Sequence, residues 1–513
     1  MKAERNDHVS KDAELGLPAG ILSEADIERL GRQRPDAFRT SFAEIGFCFS
    51  LLASMFIAEY FISGFGLIAP TLATELNIPE ELQIWPASAF SLVAGAVLLP
   101  FARLADVWGS YRVFVCGLFW FAIWSLICGF SQTYIMLIIC RSLQGLGPAA
   151  FLPSGVMLMG STYRPGPRKN LVFSLYGALS PIGFFAGIFS GGITTQYLSW
   201  RWYFWIGAIV LFVVAPMALL AAPSETIKTE GATMDWWGVF TIVPGLLLVV
   251  FALTDSAHTE GGWRSPQIYL TFTFGTMFLI AAFYTQGWVS KSPLLPFDLF
   301  KVKSMVPLLF SCFFSFGVFG IYLLYSSFYI QYVRGVTGLL CVAWYVPMAL
   351  GGIFVATVGG FTLHLLSGKV ALFVASLGYL VCAVLLATIP SGNPSYWAYI
   401  FPAMLGATLG VDVTYGVANI FITTSLPKRR QGLAGAVINS VLFLGMSFWL
   451  GVADMAEASQ KSNTNGTYKA AFWLATACAI MSLVIIAVFV KIGKAKSELT
   501  VDERAEKALQ ENK

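Results

Sequence analysis

Fourteen stretches of this chain each run for about twenty residues with scarcely a charge in them, the first at Gly46–Ala69 and the last at Ala470–Val490. A helix climbs about 1.5 Å per residue, so each run is long enough to cross the ~30 Å hydrocarbon core of a bilayer. The runs are continuous rather than ten-residue alternations, which excludes a membrane barrel. Charged residues make up 12% of the chain, against roughly a quarter in a soluble protein. Most of the surface must therefore face lipid, and the chain reads as an all-α integral membrane protein.

The basic residues orient it. One set of loops holds Arg103 and Arg112; Arg164, Arg168 and Lys169; Lys291, Lys301 and Lys303; and Lys428, Arg429 and Arg430. The alternate set holds Arg201, Arg264, Arg334 and Lys461. Short loops rich in Lys and Arg stay in the cytosol, so both termini are expected inside, in keeping with Lys491, Lys494 and Lys496. The triplet Asn465-Gly466-Thr467 then lies outside, where Asn465 fits a glycosylation acceptor pattern. No cleavable signal peptide precedes the first span.

Five segments follow: a cytosolic tail over 1–43, six spans over 44–222, a polar linker with two further spans over 223–304, six spans over 305–490, and a tail over 491–513. The charged stretch Ser23–Arg39 reads as a short helix or a disordered tail. A faint repeat relates spans 2–3, AGAVLLPFARLADVWGSYRVFV, to spans 10–11, GGIFVATVGGFTLHLLSGKVALF. His364 falls where Asp106 falls, and Lys369 near Arg112. Duplicated halves around a midplane cavity are the common architecture of secondary transporters.

Eight cysteines lie mostly inside apolar runs, as at Cys48, Cys116, Cys128, Cys312 and Cys478, without metal-ligand spacing. Neither the three histidines nor any phosphate-binding loop suggests a metal site, an enzyme or an ATP-driven pump. No cofactor and no nucleic-acid partner is expected, only a small solute, the bilayer and a monomeric chain.

Four segments carry chemistry. The turn Arg103-Leu104-Ala105-Asp106-Val107-Trp108-Gly109 leads to Arg112; Gly109 suits a tight reversal, and Asp106 suits a helix cap or an ion pair. In Arg141-Ser142-Leu143-Gln144-Gly145-Leu146-Gly147-Pro148, an intramembrane arginine needs a partner or a task, unless it snorkels to water. Span 5 holds Gly177 and Pro181 in a run of small residues suited to close helix packing and bending. Ser199-Trp200-Arg201-Trp202-Tyr203-Phe204 sits where aromatic residues gather, at the membrane interface.

These segments resemble signatures of the major facilitator superfamily. Leu104, Ala105, Asp106 and Gly109 match its loop 2–3 motif, with Ala102 in place of the first glycine. Arg141, Gln144, Gly145 and Gly147 match its span 4 motif. Gly177 and Pro181 fit the span 5 motif of antiporters, although Phe184 and Phe185 replace a glycine pair. The Trp-Arg-Trp cluster, Gly147–Ser154 and Tyr163–Asn170 are similar to the fourteen-span drug:proton antiporter family, in the fungal branch named for aminotriazole resistance. The resemblance implies two six-helix bundles plus two extra helices. It also implies a conformational latch at Asp106, Gly109 and Arg112, with Arg112 as compensating base, and a proton-coupling role for Arg141.

Among the acids inside spans, Glu59 near the middle of span 1 and Asp412 within span 12 stand out. Burial disfavours a charged carboxyl, so such groups are suited to exchanging a proton or cation; alternatively each is hydrogen-bonded to a neighbouring helix or faces water in a cavity. Gln144, Asn419, Asn439, Tyr325 and Trp344 are further cavity candidates. The expected function is proton-coupled export of small molecules by alternating access, at the plasma or the vacuolar membrane. Uptake of a nutrient, an ammonium-like ion or a chelate on the same fold, or a non-transporting receptor, are the other readings.

Overall fold

The computed structural model describes residues 33–163, 167–223, 233–362, 366–392, 394–426, 430–459 and 467–493. His364, Asn465 and most of Ser23–Arg39 lie outside the described residues. Among the described residues, fourteen helices are long and apolar enough to cross a membrane: α1 Ser41–Glu75, α2 Trp85–Trp108, α3 Ser110–Gly129, α4 Tyr134–Thr162, α5 Pro167–Tyr197, α6 Trp200–Ala221, α7 Trp236–Asp255, α8 Pro266–Tyr284, α9 Met305–Phe328, α10 Gly338–Thr362, α11 Gly368–Ala387, α12 Tyr396–Ser425, α13 Gln431–Ala458 and α14 Thr467–Val488.

Several helices overrun their apolar stretch, α1 reaching 35 residues. Polar ends extend them beyond the hydrocarbon, where side chains complete the backbone bonding. The Thr40 hydroxyl, for example, accepts from the Ala43 N–H at 3.2 Å and starts α1. One residue separates α2 from α3: Gly109, at φ +99°, a backbone region closed to most side chains.

In the first half, α1 packs on α5 and α6, α2 on α4, and α3 on α4 and α6. The second half repeats each pairing eight helices later: α9 on α13 and α14, α10 on α12, and α11 on α12 and α14. The repeat read from two pairs of spans thus runs through the packing of twelve helices. The halves meet where α2 packs on α13 and α5 on α10, contacts that exchange under the same shift. Helices α7 and α8 pair with each other, and α7 leans on both α2 and α13.

The α1–α5 seam shows how little room separates these helices. A Cβ on Gly64 would stand 2.3 Å from the Gly187 carbonyl oxygen, and one on Gly187 would stand 2.3 Å from that of Tyr60. Small residues let helices in lipid approach backbone to backbone. Beside this seam, the Tyr60 hydroxyl donates to the Tyr203 carbonyl at 2.8 Å and the Tyr203 hydroxyl to that of Tyr60 at 2.6 Å. Their stacked rings tie α1 to α6.

Candidate functional site

Between the halves lies about 650 Å³ of empty space, counting the part continuous with solvent. Its walls are largely apolar: Ile62 from α1, Phe184 from α5, Phe319 from α9, Met348 from α10, Val411 from α12 and Leu442 from α13. Into it α1 places Glu59, α5 places Ser180, and α12 places Thr408, Asp412 and Tyr415. Ser180 is in hydrogen-bonding reach of the Glu59 carboxyl. Asp412 feels the charge of Glu59, and its Oδ2 is buried with no hydrogen-bond partner among the described residues. Two like charges in an apolar cavity repel, and a proton or cation taken up there relieves the repulsion. The two acids, one from each half, therefore share a site.

A second, smaller space of about 360 Å³ is lined by Phe65, Phe90 and Arg141. Arg141 is 1% exposed, so it does not snorkel. Its Nε donates to the Pro86 carbonyl at 3.2 Å and its Nη1 to Gln144 Oε1 at 2.7 Å. The Phe65 and Phe90 rings each lie 4.3 Å from the guanidinium carbon, an attraction strengthened by the burial of the side chain. Gln144 passes the network on, donating to Ser125 at 2.7 Å.

Beyond these spaces, toward the end away from the basic loops, the halves are joined. The Ser327 hydroxyl donates to the Gly66 carbonyl at 2.7 Å and Gln331 Nε2 to that of Leu67 at 2.9 Å. Ser88 and Ser447 meet at 2.8 Å, and the Leu339 N–H donates to Gln196 Oε1 at 2.6 Å. Toward the basic end, α5 and α10 part. A Cβ on Gly192 would strike Val342, and one on Gly352 would reach Pro181 at 3.2 Å, but one on Gly177 would meet nothing within 4 Å. The halves are bonded together at the end away from the basic loops; toward the basic end α5 and α10 stand apart, while α4 and α13 still touch, a Cβ on Gly432 meeting Met157.

The remaining sequence candidates scatter. Gln144 stands behind Arg141. Asn439 stands behind Tyr415, whose hydroxyl donates to it at 3.4 Å. Asn419 does not line either space. Tyr325 is buried among Phe328 and Tyr468, and Trp344 lies beside Tyr396 and Arg334 near the sealed end. These two aromatics pack rather than line the cavity. Gly145 lets α4 approach Phe90 of α2, and Gly147 approaches Phe121 of α3. Asp106 pairs not with Arg112, which is exposed, but with Arg103 at 3.5 Å. A spacing of three residues puts those two on one helix face, whereas the turn at Gly109 carries Arg112 onto the next helix. Sequence reasoning missed Ser88 and Ser447, because isolated serines inside apolar spans carry no pattern. It also missed Thr408 and Tyr415, which stand one turn before and one turn after Asp412 on its helix face.

The Trp-Arg-Trp segment is a polar joint as well as an interface anchor. Trp200 Nε1 donates to Glu75 at 2.8 Å, and Arg201 lies 3.8 Å from the same carboxylate.

The major facilitator superfamily model matches residues 51–450. A low affinity ammonium transporter of Saccharomyces cerevisiae is 32% identical over 438 residues, covering 82% of this chain and 83% of that protein. The aminotriazole resistance protein of the same yeast is 29% identical over 96% of this chain and 94% of its own length. The efflux pump terJ of Aspergillus terreus is 28% identical over 90% of each. The crystal structure of the peptide transporter POT in complex with sulfate superposes with a TM-score of 0.63 at 15% identity, covering 90% of this chain and 98% of that one. The same two-half arrangement, sequence family and transporter-named relatives converge: this chain belongs to the major facilitator superfamily and is a membrane transporter, not an enzyme.

Proposed function

We propose that this chain is a proton-coupled secondary transporter that exports small molecules by alternating access, driven by the proton gradient without a cofactor. The observation that carries the reading is the cavity holding Glu59 and Asp412, one from each half, with α5 and α10 parted on its basic side. With the basic loops in the cytosol, the substrate enters from inside and occupies the space between the two acids. The halves then rock, the seal at Ser88, Ser447, Ser327 and Gln331 opens, and a proton from outside replaces the substrate at the carboxyls. Differential affinity of proton and substrate for the two states supplies the direction. Asp106 stabilises the outward-facing state from the cytosolic end, and Arg141 links the carboxyl site to the sealed end. The plasma membrane is the expected location, with the vacuolar membrane as the alternative, and the chain works as a monomer with both termini inside.

Uptake of an ammonium-like ion is the second reading. It is favoured by the yeast relative named as an ammonium transporter and by a cavity whose ionisable lining is acidic.

Reconstitution into sealed vesicles with an imposed pH gradient tests both. Solute movement against the proton flow, abolished in Asp412→Asn, supports export. Movement with the protons, or ammonium uptake alone, replaces it with the second reading. Movement indifferent to the gradient rules out proton coupling.

A further inference from the structure

The two spaces between the halves are stacked along the same helices. Ile62 lines both. On α9 Phe319 serves the larger and Leu323 the smaller; on α13 Leu442 serves the larger and Met446 the smaller. The larger lies on the basic side, where α5 and α10 part. The smaller lies next to it across Ile62, and just beyond it Ser327 and Gln331 close on the carbonyls of Gly66 and Leu67.

Their charges are opposite. The larger space has the carboxyls of Glu59 and Asp412 and no basic side chain; the smaller has the guanidinium of Arg141 and no acidic one. Each retains unused bonding capacity. Asp412 Oδ2 is buried without a partner among the described residues. Arg141 commits Nε to Pro86 and Nη1 to Gln144, which leaves Nη2 for the cavity it lines. A buried cation held only by neutral acceptors and ring faces lacks the anion that would best offset its desolvation. Helix α1 sets the distance between the two charges: Glu59 lines the larger space and Gly66 the smaller, and a seven-residue helical separation is about 10 Å.

We infer that the substrate is an elongated molecule with a protonatable nitrogen held by Glu59 and Asp412 and, about 10 Å away, an anionic oxygen group of the carboxylate class held by Arg141. The apolar wall of Ile62, Phe319 and Leu442 takes the hydrocarbon between them. Such a molecule enters from the basic end, anionic group first, and its two charges neutralise both poles of the site. The Phe65 and Phe90 rings fix the guanidinium plane, so the anionic end meets a preset donor pair. The inference rests on the transport reading above, and names its substrate class.

The test is equilibrium binding to the purified full chain in lipid nanodiscs, by calorimetry, with no gradient. The probes are ω-amino acids of graded length (aminobutyrate, aminooctanoate, aminododecanoate), with octylamine and octanoate as single-charge controls. Aminooctanoate should bind about tenfold or more tighter than either control and tighter than the shorter and longer amino acids. In Arg141→Gln, aminooctanoate should fall to the affinity of octylamine while octylamine itself is unchanged. Equal affinity for aminooctanoate and octylamine in the unaltered protein overturns the proposal, as does a loss in Arg141→Gln that strikes both ligands alike. Should Arg141→Gln fail to fold, Arg141→Lys and the length series on the unaltered protein decide. Gradient-driven movement is measured separately, so intact binding with no coupled transport would sink the function proposed above and leave the two-charge site standing.

Discussion

Ser88 of α2 and Ser447 of α13 meet hydroxyl to hydroxyl at 2.8 Å, buried, and Ser447 also donates to the Ser88 carbonyl at 3.1 Å. The contact crosses the boundary between the halves at the sealed end, so opening that end must break it. The pair Ser88→Cys with Ser447→Cys is expected to cross-link under oxidation and to arrest transport until reductant is added. Oxidation that cross-links the pair and leaves transport untouched would show that these helices need not part there.

Two glycines, Gly64 in the α1–α5 seam and Gly177 on the parted side of α5, predict opposite outcomes. Gly64→Ala forces a methyl group to 2.3 Å from the Gly187 carbonyl, and overpacking of this kind costs roughly 1–3 kcal/mol. Gly177→Ala enters open space and should leave stability unchanged or raise it by up to about 1 kcal/mol, the usual gain in a helix interior. Thermal unfolding of the two purified variants checks this. Equal destabilisation would mean that α5 and α10 are not parted at Gly177.

His258, in the loop after α7, meets Asp454 of α13 at 2.8 Å, with both side chains largely buried. Removing the histidine alone leaves the buried Asp454 carboxyl without this hydrogen bond. His258→Leu is therefore expected to cost about 1–3 kcal/mol, the penalty of an unsatisfied buried group, and Asp454→Asn, which keeps a hydrogen-bonding side chain in place, about 1 kcal/mol or less. The asymmetry is what thermal unfolding should show; the reverse order would mean that the histidine, not the acid, depends on the pair.

Asp106→Asn should separate folding from function. The Arg103–Asp106 pair is partly exposed and within one helix, so its loss should change stability by less than about 1 kcal/mol. If Asp106 latches the outward-facing state, transport in vesicles should nevertheless fall several-fold. Unimpaired transport would remove the latch role.

The number and place of the spans are legible in the sequence because lipid imposes one rule on every crossing helix. An apolar run has nowhere else to go. The acids Glu59 and Asp412 are legible for the same reason, as costly exceptions to that rule. Their meeting in one cavity is not, since it depends on how α1 and α12 turn about their axes, which small-residue seams such as Gly64–Gly187 decide. Tyr325 and Trp344 are misplaced by sequence reasoning because an aromatic in a span looks alike whether it packs or lines a cavity. An ion pair of Asp106 with a nearby arginine is legible in the sequence, but the motif directs attention forward to Arg112, while helical spacing points one turn back to Arg103.

Helix α7 touches both halves, but not by equal means. At the sealed end its hold on α2 is a ring contact, Phe251 with Trp85, and at the basic end Arg103 Nε donates to the Thr233 carbonyl just before α7. Toward α13 it has close packing of Thr254 on Gly451 and, through the following loop, the buried His258–Asp454 pair. On the alternating-access reading proposed above, the weaker grip at the sealed end is expected to slip first, so that α7 and α8 travel with the second half and six helices swing against eight. Fluorescent labels on α7 and α13 should hold their distance through the cycle while labels on α7 and α2 drift apart, and a constant α7–α2 distance would give the passenger pair to the other side.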